Sequence, residues 1–334
     1  RARMDRDNGY ATVVIPPGFT SSTVALVSTG PETSGTATLP RIEVLTNNRA
    51  GSLGVSLAQG VLNPALTQIS HGIGSRLDAG APPGLSPGAR ALLSDPVRIA
   101  PVVYRPLPSH AGVGLSAFYI ALLIMMCGFL GAIIINTSVD AALGYASSEV
   151  GPWWRQRLPV RISRWHTLLV KWTMAVPCTL LFTGVLIAVA AGILRMDAPH
   201  VVGLLMFGWY AAAVVAIGTL VLLAALGALG QIIALLLFVY LGLASSGGTI
   251  PLQALNGFYR FVANFEPLRQ ILQAVRSLLY FDGIGAAGLS RGLVLTSVGL
   301  VVWVIVGVGI TIWYDRRGLD RISAELLERV YAAG

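Results

Sequence analysis

Residues 201–259 read VVGLLMFGWYAAAVVAIGTLVLLAALGALGQIIALLLFVYLGLASSGGTIPLQALNGFY, and the run contains no Asp, Glu, Lys or Arg. A water-soluble fold does not leave so long a stretch uncharged. A hydrocarbon core of about 30 Å takes roughly 20 apolar residues per helix. The run therefore crosses a bilayer twice and still leaves a polar-poor loop, SSGGTIP, between Ser245 and Pro251. Working outward on the same criterion, helices are predicted near 115–137, 172–194, 201–226, 229–246 and 292–314. A mean hydropathy of +0.72 with 11% charged residues agrees with an integral membrane protein. The net charge of +8 lies largely beside predicted helix ends, where it orients a membrane protein, so it does not point to nucleic acid.

Residues 1–110 are a different material, rich in Pro, Gly, Ser and Thr with charges throughout. Three β-type runs stand out: Tyr10–Ile15 (YATVVI), Arg41–Leu45 (RIEVL) and Val97–Tyr104 (VRIAPVVY). Between the second and third, Leu53, Leu57, Val61, Leu62, Leu66, Ile69 and Ile73 recur at helical spacing over Ser52–Leu77. Residues 78–96 are Pro/Gly-rich and read as a loop. The expectation is a small α+β domain outside the bilayer, followed over 111–334 by a transmembrane domain. That domain is divided into a loop 138–171, an outer amphipathic hairpin 247–291 and a tail 315–334.

Orientation follows from arginine. Arg155, Arg157, Arg161, Arg164 and Lys171 (the only lysine) lie in the loop after the first helix, and Arg316, Arg317, Arg321 and Arg329 lie in the tail. The other side carries Arg195, Arg260, Arg269, Arg276 and Arg291. The positive-inside rule puts the tail in the cytoplasm and residues 1–110 outside it. Export of such a domain calls for a sixth helix upstream of Arg1. The excess of Arg over Lys, with abundant Ala, Gly and Val, has the compositional stamp of a GC-rich bacterial genome.

The chemistry-bearing motifs are sparse. A phosphate-cradling loop needs Gly-x-x-x-x-Gly-Lys, whereas Lys171 follows Leu-Leu-Val, so no ATPase is expected in this chain and any ATP hydrolysis belongs to a separate subunit. The string Gly283, Gly285, Gly288 does not follow a strand and reads as a turn before the last helix. The five predicted helices contain no carboxylate, which argues against proton coupling; their polar residues Asn136, Thr173, Thr179, Thr219 and Gln231 read as interhelical hydrogen-bonding groups. Cys127 and Cys178 read as packing residues. His71, His110, His166 and His200 show no metal-ligand spacing, so neither a metal nor a cofactor is expected. An interfacial pair of His110 or His200 with Asp197 leaves a membrane-embedded transferase as a third-ranked reading.

Two regions carry the functional expectation. Gly247 and Gly248 break a helix ahead of Pro251, and an amphipathic segment follows. Its apolar residues are Phe258, Phe261, Val262, Phe265, Leu268, Ile271, Leu272, Val275, Leu278 and Leu279, with Arg260, Arg269 and Arg276 interleaved; Pro267 splits it in two. Such a pair either lies in or dips into the outer interface, or packs as a surface hairpin. On the other side, GPWWRQRLPVRISRW supplies Trp153, Trp154, Arg155, Arg157, Arg161, Arg164 and Trp165. Interface-seeking tryptophans with arginines suit anionic headgroups or a cytosolic partner.

The order of these segments resembles a known family. YATVVIPPGF is similar to the Ile-Pro-x-x-Phe-Ser stretch of type-2 ABC exporter permeases. Thr46, Asn47 and Asn48 close a strand before a long helix, VVYRPLPSHAGVGLSAFYIALLIMMCGFLGA leads into a helix, and SSGGTIP with FEPLRQILQAVRSLLY precedes the last one. Over essentially the whole chain, this resembles the phage-infection-protein (YhgE/Pip-like) and nitrosoguanidine-resistance-type branch of that superfamily. The resemblance implies one helix, an outer domain and five further helices. It also implies an exit region at Gly247, Gly248, Pro251, Phe258, Phe265, Arg269 and Arg276, and coupling of the 141–166 loop to a separate nucleotide-binding subunit, although many members of the branch have no known ATPase partner. The resulting expectation is an inner-membrane exporter permease, as a homodimer, moving an amphiphilic or cell-envelope molecule outward. The alternative is a non-transporting scaffold or accessory subunit of an envelope assembly, whose outer domain binds envelope proteins or cell-wall polymer.

Overall fold

The protein is described by a computed structural model, covering residues 4–7, 9–28, 39–81, 87–108, 110–155, 157–319 and 321. The tail arginine Arg329 lies outside the described residues. The chain divides into two compact units, residues 1–108 and 109–334.

The first unit is α+β. Strands β1 (Ala11–Val14), β2 (Arg41–Thr46) and β3 (Arg98–Val103) form a sheet in the order β1-β2-β3. β1 runs antiparallel to β2, and β3 runs parallel to it. A parallel return needs a long crossover, and this one contains α2 (Ser52–Ala79) and α3 (Pro87–Ser94). Ile42, Val44, Leu66 and Val97 form the core, with Val13, Phe19, Leu62, Ile73 and Ile99 packed around it. Ser70 couples the crossover to β3: its hydroxyl donates to Asp95 and accepts from Val97 N at 3.2 Å.

The helical face of α2 was only partly legible. Leu62, Leu66 and Ile73 point to the core, whereas Leu53, Leu57, Val61 and Ile69 are exposed. Two further helices were not expected. α1 (Phe19–Ser28) grows from a Thr/Ser-rich stretch, and α3 occupies part of the segment read as a loop. Proline at the first position of α3 explains the latter, because its fixed φ suits the first turn of a helix.

Among the described residues, the second unit contains five helices long and apolar enough to cross a membrane: Ser116–Ala142, Arg164–Ile193, Val201–Leu226, Ala228–Ser245 and Leu289–Arg316. They comprise α4 (Ser116–Ala142), α5 (Arg164–Ala188) with a π-helical turn at Val189–Ile193, α6 (Val201–Leu226), α7 (Ala228–Ala234), α8 (Leu241–Ser245) and α11 (Leu289–Arg316). A second π-helical turn, Leu235–Tyr240, joins α7 to α8. Several ends overrun the hydropathy-based limits. α4 continues to Ala142 and α5 begins at Arg164, so Asp140 and Lys171 are helical and the connection shortens to 143–163. The expectation of carboxylate-free helices fails for this reason at Asp140, and at Asp315 in the last turn of α11.

α6 is apolar all round, the pattern of a helix with no solvent face, and Ala211 through Val221 are buried. It packs against α4, α5 and α11. The α4–α6 contact relies on small residues: a Cβ on Gly128 would strike the carbonyl of Ala212, the close approach that membrane helix pairs favour. Buried threonine hydroxyls are satisfied within their own helices. Thr179 donates to Ala175 O, Thr219 to Val215 O and Thr311 to Gly307 O.

The segment after α8 departs most from expectation. α9 (Gly257–Val262) is a short exposed helix, whereas α10 (Pro267–Tyr280) is buried on nearly every side by α4, α6, α8 and α11. The pair is therefore neither a surface hairpin nor two equivalent interfacial helices. Gly288 and Gly292 explain the fit, since a Cβ on either would press on the backbone of Gln273 or Gln270 at 2.8 Å. The glycine string at 283–288 is accordingly a turn that lets α11 lie against α10.

Candidate functional site

The broken stretch after α8 is built around two glycines. Gly247 has φ +71, in the left-handed region where glycine carries no Cβ penalty. Gly248 is buried, and any Cβ there would overlap the ring of Phe118 on α4. Pro251 is buried as well. α9 is capped by Asn256, whose Oδ1 accepts from Tyr259 N at 3.1 Å. On and after it, Phe258, Phe261 and Phe265 turn outward, the last 72% exposed.

Glu266 then starts α10. Its Oε1 accepts from Leu268 N at 2.6 Å and its Oε2 from Arg269 N at 2.8 Å, while Pro267 fills the first helical position. This is a strong N-cap in an unusual place, because the carboxyl is buried against Gly242 of α8. Burial pushes its pKa up to about 7, outweighing the two backbone N–H groups and the Arg269 guanidinium that favour the charged form.

Of the seven residues expected at an exit, the structure brings Phe265 and Arg269 to the start of α10. Gly247, Gly248 and Pro251 lie in the break before it, and Phe258 faces outward from α9. Arg276 stands seven residues further along α10, about 10 Å along its axis, and is buried. The group follows the chain from the break through α9 to α10 rather than lining a single pocket.

Beside this path lies a cavity of about 360 Å³. Its walls come from α6 (Ala211, Val214, Val215), the second π-helical turn (Leu237, Phe238), α10 (Pro267, Gln270, Ile271) and α11 (Leu295 to Trp303), with Phe265 at its edge. π-Helical turns recur at functional sites, and this one faces the cavity. The lining is apolar apart from Gln270, Thr296 and the Trp303 indole.

At the opposite end of the bundle a charged cluster ties three elements together. Lys171 Nζ donates to Asp140 Oδ1 and to Asn136 Oδ1, both at 2.7 Å. Arg321 holds Asp140 bidentately, at 2.6 and 3.0 Å, and lies 4.6 Å over the Tyr145 ring. Asp315 accepts from the backbone N–H groups of Arg164 at 2.9 Å and Trp165 at 3.1 Å, capping α5. These groups border a second cavity of about 340 Å³ lined by Arg164, Thr167, Lys171, Tyr314 and Arg321.

Of the seven residues expected for headgroup or partner contact, Trp153, Trp154 and Arg155 form β5, paired antiparallel with β4 (Ser148–Val150) across a Gly151-Pro152 turn. Trp153 and Trp154 are 68% and 64% exposed; Arg157 and Arg161 are also exposed. Arg164 and Trp165 belong to α5 instead. Arg164 donates to Leu319 O and stacks over Tyr314, and Trp165 meets Trp172 edge-on at 6.1 Å.

His110 and Asp197 approach to 3.7 Å on an exposed surface, while His200 lines a separate shallow depression with Leu278, Asp282 and Gly283. Both cysteines are free thiols. Sequence reasoning missed Glu266, Gln270 and the Asp140 cluster. An acid directly before Pro267 was a readable capping signal, and a lone lysine among apolar neighbours was a readable sign of a buried partner.

Among known proteins, no curated protein and no solved structure matches this chain. One family model does match, over residues 2–308, and it is described as a protein of unknown function. With that match spanning nearly all of the sequence, the chain belongs to the DUF3533 family.

Proposed function

We propose that this protein is the permease subunit of an exporter of the type-2 ABC kind, moving an amphiphilic or cell-envelope molecule outward across a bacterial inner membrane. The observation that carries the reading is the apolar cavity between α6, the second π-helical turn, α10 and α11. It reaches the outer surface of the bundle, where Val298 and Val302 are about half exposed. A solute that travels through such a site enters sideways from the bilayer, and the Gly247–Pro251 break after α8 is the element that moves in this reading.

Residues 1–110 face away from the cytoplasm in this reading, and the carboxyl end is cytoplasmic, as the arginine distribution favours. The exposed Trp153–Trp154 hairpin is then a docking surface for a separate nucleotide-binding subunit that supplies the work. A homodimer of permease subunits completes the transporter.

Two measurements test this. Maleimide labelling of single cysteines in intact cells should reach one placed in residues 1–110 and spare one placed at position 317. Purification from native membranes should recover a soluble ATPase, and recovery should fall when Trp153 and Trp154 are both changed to Ala. Labelling of position 317 from outside refutes the orientation. An intact chain that never carries an ATPase removes the proposed energy source.

A further inference from the structure

The cavity of about 340 Å³ at the charged end of the bundle has a wall rich in hydrogen-bond donors. Its polar residues are Asn136, Arg164, Thr167, Lys171, Tyr314 and Arg321, and no carboxylate is among the described residues that line it. Arg164 Nε donates to Leu319 O at 2.7 Å, and the guanidinium lies 5.0 Å over the Tyr314 ring. Leu319 and Tyr314 themselves line the cavity, so the charged end of Arg164 is at the wall and not its stem alone. The terminal nitrogens of that guanidinium have no acceptor among the described residues.

The other polar groups add donors rather than acceptors. Lys171 Nζ donates to Asn136 and Asp140, and an ammonium has a further N–H to give. Asn136, also in the wall, turns its oxygen to Lys171 and keeps its own N–H groups. The Thr167 and Tyr314 hydroxyls donate to Ser163 O and Ala225 O. Arg321 is turned to Asp140 and Tyr145, so it adds positive potential and no contact. Both nearby carboxylates are engaged: Asp140 by Lys171 and Arg321, Asp315 by the first N–H groups of α5. Set against Arg164, Lys171 and Arg321, they leave a net positive charge.

Such a wall calls for an anion with several acceptor oxygens. A guanidinium fork beside an ammonium suits phosphate. The cavity lies where α5 begins and where α6 and α11 end, with Trp313 exposed in the last turn of α11, the level at which aromatic residues mark a bilayer interface. Basic pockets between membrane helices take up anionic lipid headgroups. Leu168, Leu223, Ala224 and Ala225 complete the wall, an apolar face that suits glycerol and the first acyl carbons better than a fully hydrated ion.

We propose that this cavity binds a phosphate group, carried by an anionic phospholipid, with the Arg164 guanidinium as the principal contact and the Lys171 and Asn136 N–H groups beside it. No residue of the Trp153–Trp154 hairpin lines the site. The proposal needs neither transport nor a particular orientation of the chain.

Native mass spectrometry of the full chain in micelles tests it, with phosphatidylglycerol and net-neutral phosphatidylcholine offered in equal amounts. The chain should retain phosphatidylglycerol in preference by about tenfold, the scale of a hydrogen bond to a charged group. Arg164→Gln should abolish the preference. Arg161→Gln, which removes the same charge from an exposed residue outside the cavity, should leave it intact. Phosphatidylglycerol with a diazirine on its headgroup should label the native chain within 164–171 and 314–321. Inorganic phosphate at millimolar concentration should not displace the lipid; displacement that depends on Arg164 would keep the phosphate site and overturn the lipid as its source.

Equal retention of the two lipids by the native chain, with no rise in its unfolding midpoint on adding inorganic phosphate to phospholipid-free micelles, overturns the proposal whether or not Arg164→Gln folds. Labels confined to residues 150–161 overturn it too, and so do equal losses from Arg161→Gln and a folded Arg164→Gln.

Discussion

Replacing Asp140 with Leu removes the carboxylate that, among the described residues, holds both Lys171 and Arg321. At 2.7 Å and an effective dielectric near 20, one such pair attracts by about 6 kcal/mol before desolvation is subtracted. Desolvation costs several kcal/mol per buried ion. The net loss on removing one member of a buried pair is therefore about 3–5 kcal/mol, dominated by the charge left behind. Here that charge is Lys171, whose side chain is 5% exposed; Arg321 is more exposed and turns to solvent. Asn136 Oδ1 remains as one acceptor for the ammonium, which places the expected loss near the lower bound, about 3 kcal/mol.

Lys171→Met alone leaves Asp140 paired with Arg321 and should cost about 1–2 kcal/mol. The double variant Asp140→Leu/Lys171→Met leaves neither charge stranded and should recover to within about 1.5 kcal/mol of the native protein. Reversible unfolding in mixed micelles, followed by tryptophan fluorescence, measures all three. A loss under about 1 kcal/mol for Asp140→Leu, or a double variant as unstable as the two single costs added together, would refute the reasoning.

The capping carboxyl of Glu266 makes stability depend on pH. Its folded pKa of about 7 lies above the ordinary 4.5, so the folded state holds the proton more tightly. The stabilisation is complete below about pH 4.5 and is lost as pH rises through 7, a change of about 3 kcal/mol. Glu266→Gln should flatten that profile, as read by unfolding midpoints at pH 4.5 and 8. Gly248→Val should collide with Phe118 and cost about 1–3 kcal/mol; a companion Phe118→Ala should restore part of it, measured by the yield of folded protein. Trp153→Ala/Trp154→Ala should leave stability within about 0.5 kcal/mol while weakening sedimentation with anionic vesicles.

The five apolar helices were legible because the bilayer imposes a length and a composition that a sequence window detects directly. The three strands were legible from β-branched runs. What failed is instructive at particular residues. Hydropathy ended the first helix at 137 because Asp140 is charged, yet its charge is compensated by partners distant in sequence, and no local window contains them. The interleaved Arg260, Arg269 and Arg276 left two alternatives for this segment, an interfacial pair or a surface hairpin. The helix is instead enclosed by neighbours, and Arg269 and Gln270 donate to carbonyls of the turn before it.

The most direct test of the permease reading is movement itself. If the permease reading holds, the purified chain together with an ATPase recovered from native membranes, reconstituted into liposomes loaded with a fluorescent amphiphile, should transfer the label between leaflets in an ATP-dependent way, and Gly299→Phe, which fills the cavity, should stop the transfer while leaving the assembly intact. Transfer that is independent of ATP and equally fast with Gly299→Phe, or no transfer by an intact assembly, would contradict it.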